Sequence, residues 1–106
     1  MSPTATPVRG QVYRTDLGHG PKPWLVVSNN ARNRVTADIL AVRLTTIKRE
    51  LPTWVELAPA DPLGGYVNTD NIETLGKDEL GQYLGTLSPS SMLEVNRALA
   101  IALGLP

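Results

Sequence analysis

The sequence has no cysteine, one histidine and few aromatic side chains, 5% of 106 residues. Without cysteine there is no disulfide scaffold, thiolate zinc site, iron–sulfur cluster or Cys nucleophile, and the composition suits a reducing compartment. A single imidazole also rules out multi-histidine metal centres. No apolar run approaches the roughly 18 residues a membrane span needs, and Met1 to Val8 lacks the charged-then-apolar layout of a secretory signal. These absences predict a soluble, cytoplasmic protein with no membrane association. Net charge is absent as well, which argues against a general polyanion binder.

The zero sum hides an uneven distribution. Residues 1–49 carry eight cations (Arg9, Arg14, Lys22, Arg32, Arg34, Arg43, Lys48, Arg49) against Asp16 and Asp38. From Glu50 onward eight acids face only Lys77 and Arg97. Such a chain can present a basic face to phosphates while its acidic half faces elsewhere, although composition alone favours a mixed surface of self-compensating pairs.

The length allows one compact domain, over residues 9–106, which buries roughly 65% of its unfolded surface and needs no metal or disulfide staple. Residues 1–8, rich in small residues and proline, read as a disordered tail. Strands are predicted at Gln11–Asp16, Trp24–Val27, Ile39–Leu44, Thr53–Leu57 and Gln82–Leu87. Tyr66-Val67 and Glu73-Thr74-Leu75 read as two short strands around a turn at Asn68–Asn71. Only the C-terminus reads as a long helix, with Ser88 as N-cap, Pro89 at the first helical position, a stripe of Met92, Val95, Leu99, Ala102 and Leu103, and Gly104 as the stop. The fold class is therefore mainly β, a small bent barrel or half-barrel with a helix packed across it.

Four segments carry the chemistry: Arg9-Gly10-Gln11-Val12-Tyr13, Lys22-Pro23-Trp24-Leu25-Val26-Val27-Ser28-Asn29, Val42-Arg43-Leu44-Thr45-Thr46, and Tyr66-Val67-Asn68-Thr69-Asp70-Asn71-Ile72. In order and spacing they resemble the MazF/PemK family of toxins, from Arg9 to Leu105. The resemblance implies an SH3-like barrel, a homodimer, and sequence-specific endoribonuclease activity on single-stranded RNA without metal or other cofactor. It further implies attack by the 2′-hydroxyl, leaving 2′,3′-cyclic phosphate and 5′-hydroxyl ends, and neutralisation by a small antitoxin with an acidic and apolar tail. That reaction needs a proton taken from the 2′-hydroxyl, charge stabilisation at phosphorus, and a proton delivered to the leaving 5′-oxygen.

By the same resemblance the catalytic positions are Lys22, Thr45 and Asp70. Family members usually carry arginine where this chain has Lys22; lysine keeps the charge, loses the planar two-point grip and gains the ability to titrate. Thr45 falls on the family's catalytic threonine. Asp70 falls where one branch has an aspartate discussed as general base, while the residues alone read equally as an Asp-Asn turn pair. That branch has arginine in place of Asn68 and glutamate in place of Gln11. Arg14, His19, Arg32, Arg43, Thr46, Lys48, Arg49 and Asn68 are the expected RNA-binding residues. Trp24 and Trp54 can stack bases but fit core or interface positions better. Two other classes share such a fold: a non-catalytic peptide or nucleic-acid binding module, and a toxin resembling the gyrase poisons.

Overall fold

The computed structural model describes residues 6–106. The predicted tail falls at residues 1–5 outside the described residues; within them, Pro7 is already buried and the Val8 N–H donates to Gln11 Oε1 at 2.8 Å.

Six antiparallel strands form one curled sheet in the order β4-β5-β3-β2-β1-β6. They are β1 (Gln11–Asp16), β2 (Pro21–Val26), β3 (Asp38–Thr45), β4 (Trp54–Glu56), β5 (Tyr66–Gly76) and β6 (Tyr83–Thr86). Alternation along β1 and β3 sends Val12, Val42 and Leu44 to one face, where they join Leu25, Val55 and Val67 in the main core. Helix α2 (Pro89–Leu103) closes that core with Val95 and Ala98. On the other face Trp24, Val26, Ile39, Ala41 and Leu75 form a second apolar layer. A sheet apolar on both faces explains why β2 reads as a continuous hydrophobic run. The result is the expected half-barrel with a helix across it.

The ends of α2 form as the sequence predicts. Ser88 accepts the N–H of Ser91, Pro89 occupies the first turn, and Gly104 takes the left-handed conformation at φ 68°. Leu103 departs from its predicted place in the buried stripe. It is 56% exposed, because the inward face is set by Ser91, Val95 and Ala98.

Two elements differ from the sequence reading. Residues 30–35 form a short helix, α1, capped by Asn29, whose side chain accepts from the Ala31 N–H. A buried polar knot fixes it: Asn33 Nδ2 donates to the Ser28 carbonyl at 3.1 Å, and Ser28 Oγ accepts the Leu40 N–H at 3.0 Å. The predicted turn at Asn68–Asn71 is instead part of the continuous strand β5. Its pairing with β3 jumps from Val42↔Ile72 to Arg43↔Asn68, so Thr69, Asp70 and Asn71 bulge from the ladder. Buried Thr69 holds the bulge, with both its N–H and its Oγ1 donating to the Thr53 carbonyl.

Candidate active site

The β2 and β3 ends carry the residues that the four motifs single out. In register, Thr15 lies opposite Lys22, Arg14 opposite Pro23, and Trp24 opposite both Tyr13 and Arg43. The loop Ala58–Gly65 folds over this end. Gly65, at φ 110°, allows it, since a Cβ there would lie 2.4 Å from the Thr45 carbonyl oxygen. A Cβ on Gly85 would meet Pro62 at 2.5 Å, so the loop lies directly on β6. Asp61 anchors the loop: its carboxylate accepts the N–H groups of Ala58 and Ser88, each at 2.7 Å, and the Ser91 hydroxyl at 2.5 Å. Partial burial pushes the Asp61 carboxyl up, but the bonds from Ser91, Ser88 and Ala58 outweigh it and leave it below its ordinary value.

Beneath the loop is a cavity of about 260 Å³ lined by Arg14, Lys22, Arg43, Thr45, Thr46 and the loop residues Leu63 and Gly64. A second cavity, about 360 Å³, is lined by Thr15, His19, Lys22, Trp24, Arg43, Asn71 and Glu73. Lys22 and Arg43 belong to both. The two cavities therefore adjoin, with these two cations at their common wall.

Electrostatics favour an anion at that wall. Among the described residues no carboxylate lies within 4.0 Å of the charged atoms of Arg14, Lys22 or Arg43. Three unneutralised cations around one cavity repel each other unless a negative group sits between them. Arg43 spends only Nε internally, on the Leu44 carbonyl at 3.0 Å, which leaves its two terminal nitrogens free to bind. Thr45 Oγ1 accepts the Ile47 N–H at 3.2 Å, so its own O–H is available to donate. The cavity offers donors and positive charge, the inventory for holding a phosphodiester.

Not every expected residue reaches this place. Lys22, Thr45, Arg14, Arg43 and Thr46 come together in the first cavity, and exposed His19 joins Lys22 in the second. Arg32 lies on α1, paired with Asp38 at 2.6 Å, where it ties that helix to β3. Lys48 and Arg49 lie on the exposed segment after β3; Lys48 sits 3.7 Å from Glu50, and the Arg49 guanidinium lies over the Trp54 ring at 5.6 Å. Asn68 accepts the Asp70 N–H at 2.9 Å. Asp70, on the bulge, lines neither cavity; its Oδ2 accepts Thr53 Oγ1 and Trp54 Nε1 at 2.8 and 3.2 Å. Leu63 and Gly64 were not among the expected residues, nor were Asn71, on the bulge, and Glu73, opposite Ala41 in the β3 register.

Arg9, which opens the first motif, is structural. Nε donates to the Val27 carbonyl at 2.9 Å and Nη2 to Asn96 Oδ1 at 2.5 Å, joining β2 to α2, and burial pulls its pKa below the ordinary value. Trp24 is 5% exposed within its own chain. Among the described residues no group of three or more metal-ligating side chains is assembled, and no helix is long and apolar enough to cross a membrane.

The chain and its fold have known counterparts. The family described as "PemK-like, MazF-like toxin of type II toxin-antitoxin system" matches residues 8–103. "Endoribonuclease MazF4" of Mycobacterium tuberculosis is 71% identical over 100 residues, covering 94% of this chain and 95% of that protein. A solved structure described as an endoribonuclease in complex with its cognate antitoxin, from a Mycobacterial species, superposes with a TM-score of 0.93 at 71% identity, covering 94% of this chain and 97% of that one. The MazE-MazF crystal structure (Form-II) from Deinococcus radiodurans gives a TM-score of 0.84 at 25% identity, over 97% and 100% of the two chains.

Proposed function

Because the chain belongs to the PemK-like, MazF-like family of type II toxins, we propose that it is a cytoplasmic endoribonuclease that cleaves single-stranded RNA at short sequences and is held in check by a cognate antitoxin. The observation that carries this reading is the first cavity, where Arg14, Lys22 and Arg43 lack carboxylate partners and the Thr45 hydroxyl has its proton to give. A phosphodiester seated there receives charge from Lys22 and Arg43 and a hydrogen bond from Thr45. The neighbouring 2′-oxygen attacks phosphorus as its proton passes to a base, and the P–O5′ bond breaks as that oxygen takes up a proton. The products are a 2′,3′-cyclic phosphate and a 5′-hydroxyl. Charge stabilisation comes from side chains, so the reaction runs without a metal. Lys22 is the residue that can also deliver the proton. Asp70 lines neither cavity and its Oδ2 is spent on Thr53 and Trp54, so it would serve as the base only through Oδ1 and only where bound RNA brings a 2′-hydroxyl to the bulge.

The protein acts as a homodimer in this reading. Leu93, Ile101, Leu103 and Leu105 are 50–63% exposed at the C-terminal end, apolar surface that a second copy would cover. An antitoxin tail that is acidic and apolar complements the unpaired cations of the cavity and blocks RNA there.

Incubation of the purified protein with single-stranded RNA in EDTA tests the reading. Cleavage with cyclic-phosphate and 5′-hydroxyl ends is expected. Intact RNA, or 5′-phosphate ends, contradicts it.

A further inference from the structure

Past the bulge, the strand register brings a carboxylate towards the cations. Side chains alternate along β3, so Ala41 and Arg43 share the sheet face opposite the one that carries Val42 and Leu44. Glu73 pairs with Ala41 and Leu75 with Ile39, which puts Glu73 on the Arg43 face, diagonal to that arginine. Glu73, Arg43, Lys22 and His19 all line the second cavity, and among the described residues Glu73 is the only carboxylate that lines either cavity. The other acids nearby are engaged. Asp16 Oδ1 accepts the N–H groups of Gly18 and Gly20, Asp61 anchors its loop through both oxygens, and Asp70 is bonded to Thr53 and Trp54 outside both cavities. Glu73 is exposed and has no cationic nitrogen within 4.0 Å among the described residues.

We propose that Glu73 is the general base of the reaction, taking the 2′-hydroxyl proton from the side of the second cavity while the scissile phosphate sits on Lys22 and Arg43. The inference rests on the proposed ribonuclease reading. In-line displacement puts the attacking and leaving oxygens on opposite sides of phosphorus. A phosphate at the common wall of the two cavities therefore turns one of these oxygens into each. The second cavity is lined by a carboxylate and an imidazole, and the first by neither, so the 2′-oxygen belongs on the second side and the 5′-oxygen on the first. The Glu73 carboxylate accepts the proton as the O2′–P bond forms and the P–O5′ bond breaks, and the Lys22 ammonium gives a proton to the departing oxygen. Glu73 ends protonated and Lys22 neutral, and exchange with water restores both. His19 lines the same cavity from the exposed loop between β1 and β2, whereas Glu73 is held on a paired strand, the more precise mount for a reacting group.

The test is single-turnover cleavage of an RNA oligonucleotide carrying a site the wild type cuts, followed from about pH 6 to about pH 8. Glu73→Gln keeps the shape and cannot take the proton, so its rate should fall by about 100-fold or more. The residual rate should rise more steeply with pH than that of the wild type, because hydroxide replaces the lost base. Affinity for the same oligonucleotide with 2′-deoxyribose at the cut should hold or tighten, since a negative charge beside the phosphate is gone. A substrate whose 5′-bridging oxygen is replaced by sulfur loses its leaving group without a proton; the Glu73→Gln defect should persist on it, because the base acts on the other oxygen. An undiminished rate in Glu73→Gln, a loss explained by weaker affinity, or a defect that vanishes with the sulfur substrate overturns the inference. So does the steeper pH dependence appearing in His19→Ala or Asp70→Asn instead. RNA left intact by the wild type overturns the ribonuclease reading itself, and the inference with it.

Discussion

Asp61 is the part of the site's scaffold whose removal the structure lets one price most closely, and it never touches the proposed phosphate position. Its carboxylate accepts three hydrogen bonds, from Ala58 and Ser88 N–H and Ser91 Oγ, joining the loop over the first cavity to the first turn of α2. Hydrogen bonds to a charged acceptor contribute about 1.5–3 kcal/mol each when buried. Asp61 is only partly buried and water replaces part of the loss, so Asp61→Ala should cost about 2–4 kcal/mol. In a domain of this size that lowers the melting temperature by about 9–18 °C. The pH dependence follows from the carboxyl lying, when folded, below its ordinary 3.8. The contribution is complete above that ordinary value and is lost as pH falls through the lower folded value. Thermal unfolding followed by circular dichroism from about pH 7 downward checks both points. The gap between wild type and Asp61→Ala should be full near neutrality and should narrow only below the ordinary value. A shift under about 2 °C at neutral pH, or a gap that widens on acidification, would refute the reasoning.

Gly65→Ala should destabilise by more than about 2 kcal/mol in the same melts, because its Cβ would lie 2.4 Å from the Thr45 carbonyl and its φ is 110°. Arg43→Ala should weaken RNA binding and reduce the slope of log affinity against log salt by roughly one, whereas Arg32→Ala, which loses the Asp38 pair, should leave that slope unchanged. Binding titrations at several salt concentrations separate the two. Asp70→Asn keeps an acceptor for Thr53 and Trp54 but cannot take a proton, so it should lower kcat by at least about 100-fold if Asp70 is the base and leave stability within about 1 kcal/mol. A single-turnover cleavage assay decides that point.

Where the signals were local, the fold was legible in the sequence. Strand β1 has the predicted bounds, and α2 has its predicted caps, because Ser88-Pro89 and Gly104 act through their own backbone. The two ends of strand β5 were legible as short strands, but its middle was not. Asn68–Asn71 has the composition of a turn, yet pairing with β3 on one side and β4 on the other keeps the chain extended and converts the polar stretch into a bulge. Helix α1 escaped notice because a buried asparagine, Asn33, anchors it, and no apolar periodicity marks such a contact. Within the site, Lys22 and Thr45 follow from the family resemblance, and Arg14 and Arg43 from their charge. Arg32 looks the same in sequence and differs only through Asp38.

The most direct test of the account is the single-turnover cleavage rate of Lys22→Ala on single-stranded RNA, measured beside Lys22→Arg and Thr45→Ala. Lys22 has no carboxylate within 4.0 Å among the described residues and lies between like charges, so its removal should leave stability unchanged or slightly raised. The rate, in contrast, should fall by about 100- to 1,000-fold, the loss of one pre-placed charge at the reacting phosphate, with a smaller fall in Thr45→Ala. Lys22→Arg should keep its activity if the charge only stabilises the phosphorane, and should drop to the alanine level if Lys22 delivers the proton. Full activity in both Lys22→Ala and Thr45→Ala would contradict the assignment of this cavity as the place where RNA is cut.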